Sequence, residues 1–137
     1  GDVYKRQVPY VATINPAYPN DLYEKLRKAQ NIRGGLKYIH AFSPCPPGWR
    51  YDSSLTVKVA RLAVETGTWI LYEVDHGKFR LTGPSRNLVD KDKRKPVEEY
   101  LKLQGRFTHL RDRDIEEIQR LVDAQWESIT KLLREQQ

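Results

Sequence analysis

The chain has 137 residues, a net charge of +6, 39% hydrophobic residues and one cysteine. That length suffices for one domain or part of a larger one. A mean hydropathy of −0.73 with no long apolar run excludes a bilayer-spanning helix, and a single cysteine excludes an internal disulfide framework. No apolar segment marks a signal peptide, and the cysteine usage fits a reducing cytoplasm. The basic balance, with pI about 9.5, raises the question of nucleic acid. The densest basic run, Lys91-Asp92-Lys93-Arg94-Lys95, is broken by acidic residues. It comes with no zinc-finger spacing, RNA-binding signature or helix-turn-helix, so neither nucleic acid nor membrane is expected as a partner. A solvated loop and a docking patch for an acidic protein both remain readings of that run.

In chain order, Gly1-Asp2-Val3-Tyr4-Lys5-Arg6-Gln7 resembles translated adapter sequence. Residues 1–7 are set apart as a non-native or disordered leader. Val8 to Ile14 is apolar and β-branched, which predicts a buried strand. Asn15-Pro16-Ala17-Tyr18-Pro19 is a turn, and Asn20 is placed to cap a helix with Asp21 and Glu24 in its first turn. Leu22, Leu26 and Ala29 give that helix an apolar stripe, with Lys25, Arg27 and Lys28 facing outward. Gly34-Gly35 stops it, and Leu36 to Phe42 reads as a second strand. Strand, helix, strand with short connections predicts a parallel pair.

Ser43-Pro44-Cys45-Pro46-Pro47-Gly48-Trp49 follows, with three prolines around the one thiol. Proline fixes φ and removes a backbone donor, so the segment is expected to be a stiff, extended loop, neither helix nor central strand. It places Cys45 just past the C-terminal end of a strand, the edge at which α/β sheets bind ligands. The competing reading is a small buried hydrophobe, the ordinary role of a lone cysteine. A nucleophilic thiol would want a nearby His or a helix N-terminus to lower its pKa, and His40 lies five residues away on the strand.

Asp52-Ser53-Ser54 starts a helix that runs to Thr66 and stops at Gly67. Thr68 to Val74 reads as a strand, Asp75-His76-Gly77 as a turn, and Lys78 to Thr82 as its hairpin partner. Residues 83–95 form a polar, basic connector. Pro96 suits the first turn of a short helix from Val97 to Gln104. Asp114 and Glu117 form a capping-box pattern. They open a last helix with Ile115, Ile118, Val122, Trp126, Ile129 and Leu133 on one face. His40, His76 and His109 are scattered, no Ser/His/Asp or zinc spacing is present, and no carboxylate is assigned as general acid or base.

Several blocks resemble, in order, the C-terminal half of the β subunit of pyruvate:ferredoxin oxidoreductase (pyruvate synthase), within the 2-oxoacid:ferredoxin oxidoreductase family. They are Pro9-Tyr10-Val11-Ala12-Thr13, Pro16-Ala17-Tyr18-Pro19, Ile39-His40, Ser43 through Trp49, Ala60 through Gly67, Pro96 through Leu101, and Gln104-Gly105-Arg106-Phe107. The resemblance implies an α/β chain, the C-terminal part of a thiamine diphosphate-binding fold. It would have a parallel sheet with flanking helices, a β-hairpin and C-terminal helices. Residues 8–82 would form the partial thiamine diphosphate domain with the cluster-ligand loop 43–49. Residues 83–95 would be the basic connector and 96–137 a helical extension.

The resemblance further implies that Cys45 is the fourth thiolate of a [4Fe-4S] cluster, its only candidate site residue here. The Gly-Asp-Gly motif and downstream Asn that hold thiamine diphosphate through Mg²⁺ are absent, since Gly1-Asp2 belongs to the leader. No residue of this chain is therefore assigned to either cofactor. The implied reaction is oxidative decarboxylation of pyruvate with coenzyme A, electrons passing to ferredoxin. The implied partners are α-, γ- and δ-type subunits. The proline-rich cysteine loop resembles the pyruvate class more than the 2-oxoglutarate class. Another 2-oxoacid oxidoreductase, of the 2-oxoglutarate or branched-chain type, and a non-enzymatic basic binding module stand as alternatives.

Overall fold

A computed structural model describes residues 8–137, so the leader assigned to residues 1–7 lies outside the described residues. The sheet begins with β1 (Tyr10–Ile14), crosses through helix α1 (Pro19–Asn31) and returns as β2 (Lys37–Ala41). β1 and β2 are parallel, with Tyr10 opposite Lys37 and Ile14 opposite Ala41. That is the expected βαβ unit.

The hairpin of β3 (Tyr72–Asp75) and β4 (Lys78–Leu81) then joins the other edge of β1, giving the order β2-β1-β3-β4. Its turn places His76 at φ 49° and Gly77 at φ 85°, the left-handed pair that a two-residue hairpin connection requires. β3 runs antiparallel to β1. The fold is thus α/β with a mixed sheet, in which a parallel sheet is present only as its β1–β2 pair.

The strand expected from Thr68 starts four residues late, at Tyr72. Other groups satisfy the backbone before it. The Trp69 N–H donates to the Ala63 carbonyl at 2.8 Å. The Ile70 carbonyl accepts the Thr13 hydroxyl at 2.6 Å, and the Leu71 N–H donates to the buried Ser85 hydroxyl oxygen at 2.9 Å.

α1 differs from expectation at two places. It starts at Pro19, with Tyr18 and not Asn20 at the cap, because proline is pre-shaped for the first helical position and its missing donor costs nothing there. Lys25 does not face outward. It is buried, and its Nζ donates to the Thr13 carbonyl and to Asp21 Oδ2, both at 2.7 Å. The packing face is accordingly rotated, and Leu26 of the expected stripe is 42% exposed.

α2 (Pro46–Trp49) is one helical turn, and α3 (Thr56–Glu65) follows a 3-10 turn, Ser53–Leu55, capped by Asp52. The connector 83–95 contains two further 3-10 turns, Gly83–Asn87 and Lys91–Lys93. It is not uniformly solvated. Ser85 and Leu88 are buried, and Arg94 inserts its guanidinium beside the Trp126 ring at 5.2 Å from the centroid.

α4 spans Val97–Leu101, with Pro96 as its cap, and α5 spans Asp112–Glu135. Asp114 sits at the third helical position and accepts the Arg111 N–H at 3.0 Å, so Arg111 is the cap in place of Asp114. Glu117 pairs with Arg120 instead. The face expected for α5 does pack. Val122 and Trp126 are buried, with Ile115, Ile118, Ile129 and Leu133 against the main core of Val64, Ile70, Leu71, Leu81, Leu88, Val97 and Leu101. A second core of Phe42, Ala60, Leu62, Ala63 and Tyr100 lies beneath the cysteine turn. Among the described residues no helix is long and apolar enough to cross a membrane.

Candidate functional site

Cys45 is exposed and its thiol is free, which removes the reading of a buried core residue. β2 leads to it: the Phe42 N–H donates to the Ile14 carbonyl at 2.9 Å, carrying the pairing one residue past the strand's end. The segment that follows is helical and not extended. Cys45 occupies the N-cap position at φ −127° and ψ 96°, and Pro46 and Pro47 begin the turn. Proline breaks a helix from inside, but the first helical positions have no intrahelical use for an N–H. Adjacent prolines there specify the turn instead of preventing it. The Trp49 N–H donates to the Cys45 carbonyl at 2.8 Å and the Tyr51 N–H to the Pro46 carbonyl at 3.2 Å. Arg50 closes the turn in the left-handed region at φ 57°.

Gly48 makes room for the sulfur. A Cβ added there would lie 3.2 Å from Cys45 Sγ, tighter than ordinary carbon–sulfur contact, so this glycine lets the backbone pass under the thiol. A row of rings adjoins the turn. Trp49 meets Phe42 edge-on at 5.4 Å, Phe42 tilts against Trp69 at 5.3 Å, and His40 meets Trp69 edge-on at 4.8 Å.

The far side of Trp49 is covered by Arg106, whose guanidinium carbon lies 4.0 Å from the Trp49 ring centroid and 4.4 Å from that of Phe107. Arg106 Nε donates to Gln104 Oε1 at 2.8 Å, and the buried Gln104 donates in turn to the Tyr100 carbonyl at 3.0 Å. The Gly105 N–H donates to the Arg50 carbonyl at 2.7 Å. The Gln104–Phe107 segment therefore clamps the cysteine turn. The sequence from Gly105 to Leu110 has no periodicity that assigns it to a helix or strand. The signals it did offer were a glycine where Arg50 approaches and an arginine beside an aromatic.

Two buried donors next to the turn, the Tyr51 hydroxyl and Trp69 Nε1, have no partner among the described residues. No group of three or more His, Cys, Asp or Glu able to hold a metal occurs among them either. The arrangement fits one ligand of a larger centre: an exposed thiol on a rigid turn beside an aromatic row. His76 pairs with Asp75 in the hairpin turn, His109 is exposed, and neither joins the site.

A second cluster of charge lies on the α1 side of the sheet. Glu73 is 5% exposed. It accepts the Tyr10 hydroxyl at 2.5 Å, Lys28 Nζ at 2.9 Å and Arg80 at 2.7 Å. Burial raises its pKa, but the hydrogen bonds from Tyr10, Lys28 and Arg80 outweigh that and hold the carboxyl below the usual glutamate range. With both oxygens engaged, Glu73 ties α1 to β1, β3 and β4, and its chemistry is structural.

Comparison with known proteins gives the chain its relatives. No family model matches it. It is 51% identical over 117 residues to pyruvate synthase subunit PorB of Methanothermobacter marburgensis, covering 85% of this chain and 38% of the relative. It is 47% identical over 116 residues to the PorB of Methanocaldococcus jannaschii, covering 85% and 37%. It is 44% identical over 130 residues to ketoisovalerate oxidoreductase subunit VorB of Pyrococcus abyssi, covering 95% and 40%. The chain thus spans about two-fifths of the length of the curated relatives it matches. At 44–51% identity over 85–95% of its length, this chain is matched as a fragment of a PorB/VorB-type β subunit.

Proposed function

We propose that the chain is the part of a pyruvate:ferredoxin oxidoreductase β subunit that supplies one thiolate, Cys45, to a [4Fe-4S] cluster. In this reading the enzyme decarboxylates pyruvate oxidatively, transfers the acyl group to coenzyme A and passes electrons to ferredoxin in the cytoplasm. The chain acts together with further subunits of the same enzyme. The observation that carries the reading is the placement of Cys45: exposed, at the N-cap of a proline-built turn, in a chain related to PorB. A [4Fe-4S] cluster takes four thiolates, and this chain has one, so the others come from elsewhere in the assembled subunit.

Thiamine diphosphate with Mg²⁺ would supply the electron sink for decarboxylation. No residue of this chain is assigned to it. The chain's own residues hold the thiolate. The two prolines and Gly48 fix the sulfur relative to the backbone, and the Trp49–Arg106 stack pins the turn to the core.

A branched-chain 2-oxoacid as substrate is the second reading. It is favoured by the larger share of this chain, 95%, that the match to the ketoisovalerate subunits covers. The deciding experiment uses the assembled enzyme. Cys45→Ser is expected to remove the electron paramagnetic resonance signal and the iron of one cluster while the subunits stay assembled. Full iron content with an unchanged spectrum would overturn the ligand role. On the unaltered enzyme, kcat/KM for pyruvate is expected to exceed that for ketoisovalerate, and the reverse order would move the chain to the second reading.

A further inference from the structure

Arg106 is a half-buried cation whose charge the rest of the chain leaves unanswered. Arg80 and Arg94 each meet a carboxylate, Glu73 at 2.7 Å and Asp123 at 3.1 Å. Among the described residues Arg106 meets none. Its Nε donates at 2.8 Å to Gln104 Oε1, a neutral acceptor. Gln104 is buried and tied to the Tyr100 carbonyl, so that acceptor is itself fixed. The guanidinium lies over the rings of Trp49 and Phe107. Arg50, the arginine that closes the cysteine turn, is exposed, and solvent screens its charge.

The turn is short of hydrogen-bond donors. Pro44, Pro46 and Pro47 have no N–H. The N–H groups of Trp49 and Tyr51 are engaged by the carbonyls of Cys45 and Pro46 at 2.8 and 3.2 Å. Hydrogen bonds to the sulfurs, net charge and solvent exposure set the reduction potential of an iron–sulfur centre. A turn with few donors leaves more of that setting to charge. Trp49, over which Arg106 lies, stands one helical turn from Cys45. Salt screens charges in water over about 10 Å, and half-buried ones less, so one ring and one helical turn leave the guanidinium within reach of the thiolate.

We propose that Arg106 raises the reduction potential of the cluster to which Cys45 contributes. The proposal rests on the ligand role of Cys45. Reduction adds one electron and one negative charge to such a centre and breaks no bond, and a fixed cation nearby favours the added charge. An arginine suits the task because its guanidinium stays protonated and its plane stacks on an aromatic face. Arg106 acts by its field, and no proton or bond at the sulfur involves it.

The test is a redox titration of the assembled enzyme, following the electron paramagnetic resonance signal that Cys45→Ser removes. Arg106→Gln and Arg106→Met delete the charge, and both are expected to lower the midpoint potential of that signal. Arg106→Lys keeps a charge and is expected to stay nearer the parent. Lys102→Gln deletes an exposed charge on the neighbouring helix end and is expected to leave the midpoint where it was. Unmoved midpoints in both neutral variants at parental iron content would overturn the proposal. An Arg106→Lys shift equal to theirs would make the stack the cause, and an equal shift in Lys102→Gln would make it net charge, and either result overturns the proposal. Loss of the cluster from both neutral variants would make Arg106 a structural support of the turn and overturn it too. A signal that survives Cys45→Ser fails the ligand role and takes the proposal with it, whereas a signal lost in Cys45→Ser but unmoved in the neutral variants fails the proposal alone.

Discussion

At the scale of residues, the cysteine turn shows how side-chain-free positions build a site. Gly48 has no special φ, yet a methyl group there would press on the Cys45 sulfur at 3.2 Å. Gly48→Ala is therefore expected to move the thiol by a few tenths of an ångström. The protein's stability should hardly change, because Cys45 and Gly48 are exposed and surface changes mostly stay within about 0.5 kcal/mol. Melting temperature and iron content of the assembled variant check this together: unchanged melting with reduced cluster occupancy is expected, and full occupancy would mean the turn tolerates the methyl group.

The sequence made the position of Cys45 legible, because three prolines around one thiol are not core composition. It hid the conformation. Proline's exclusion from helix interiors does not hold at the first two positions, and nothing in a linear string says that Pro46 occupies one of them. Lys25 was illegible for a related reason. Its partners are a strand carbonyl from Thr13 and a carboxylate one turn earlier, and only the packing of α1 on the sheet makes a lysine the inward residue.

At the scale of elements, α1 is bound to the sheet through charge as well as apolar contact, and the binding depends on pH. Glu73 has its folded pKa below the ordinary value of 4.5. The unfolded chain therefore binds the proton more readily, and stability falls as pH drops. The contribution is complete above the unfolded pKa and is lost as pH falls through the folded one. Asp123 adds in the same sense. Burial raises its pKa, and hydrogen bonds from Arg94, Gln119 and Lys91 bring it below the usual aspartate range.

Glu73→Gln is expected to lower stability at neutral pH by about 1.5–3 kcal/mol, the range for losing hydrogen bonds to charged groups. It should also flatten the acid limb of the curve below pH 4.5, leaving the parts due to Asp123 and Asp52. Urea unfolding midpoints across that limb measure both effects, and an acid limb as steep as the parent's would deny Glu73 this role. The βαβ unit, the hairpin and the apolar face of α5 were all legible, since each is written in local periodicity. The antiparallel placement of β3 beside β1 was not. A strand pattern names no partner, and here it depends on Thr13 engaging both Ile70 and Tyr72 across the sheet.

At the scale of the whole molecule, the proposed cluster asks for more thiolates than this chain supplies. Its one thiol is presented on a finished turn, with Trp49, Arg106 and Phe107 stacked behind it. A [4Fe-4S] cluster satisfied by four thiolates needs three more sulfurs than this sequence contains. Reconstitution of the 137-residue chain with iron and sulfide under reducing, anaerobic conditions is therefore expected to leave it colourless and without turnover. The intact subunit under the same treatment is expected to take up a cluster and turn brown. The comparison separates a missing ligand set from a failed procedure. Four copies of the chain, each giving Cys45 to one shared cluster, would also satisfy the iron, but such an assembly would run as a tetramer on gel filtration and carry one iron per chain. Four irons bound to a monomer is the outcome that would overturn the need for the rest of the subunit, because the one thiolate of a single copy supplies a quarter of the ligands.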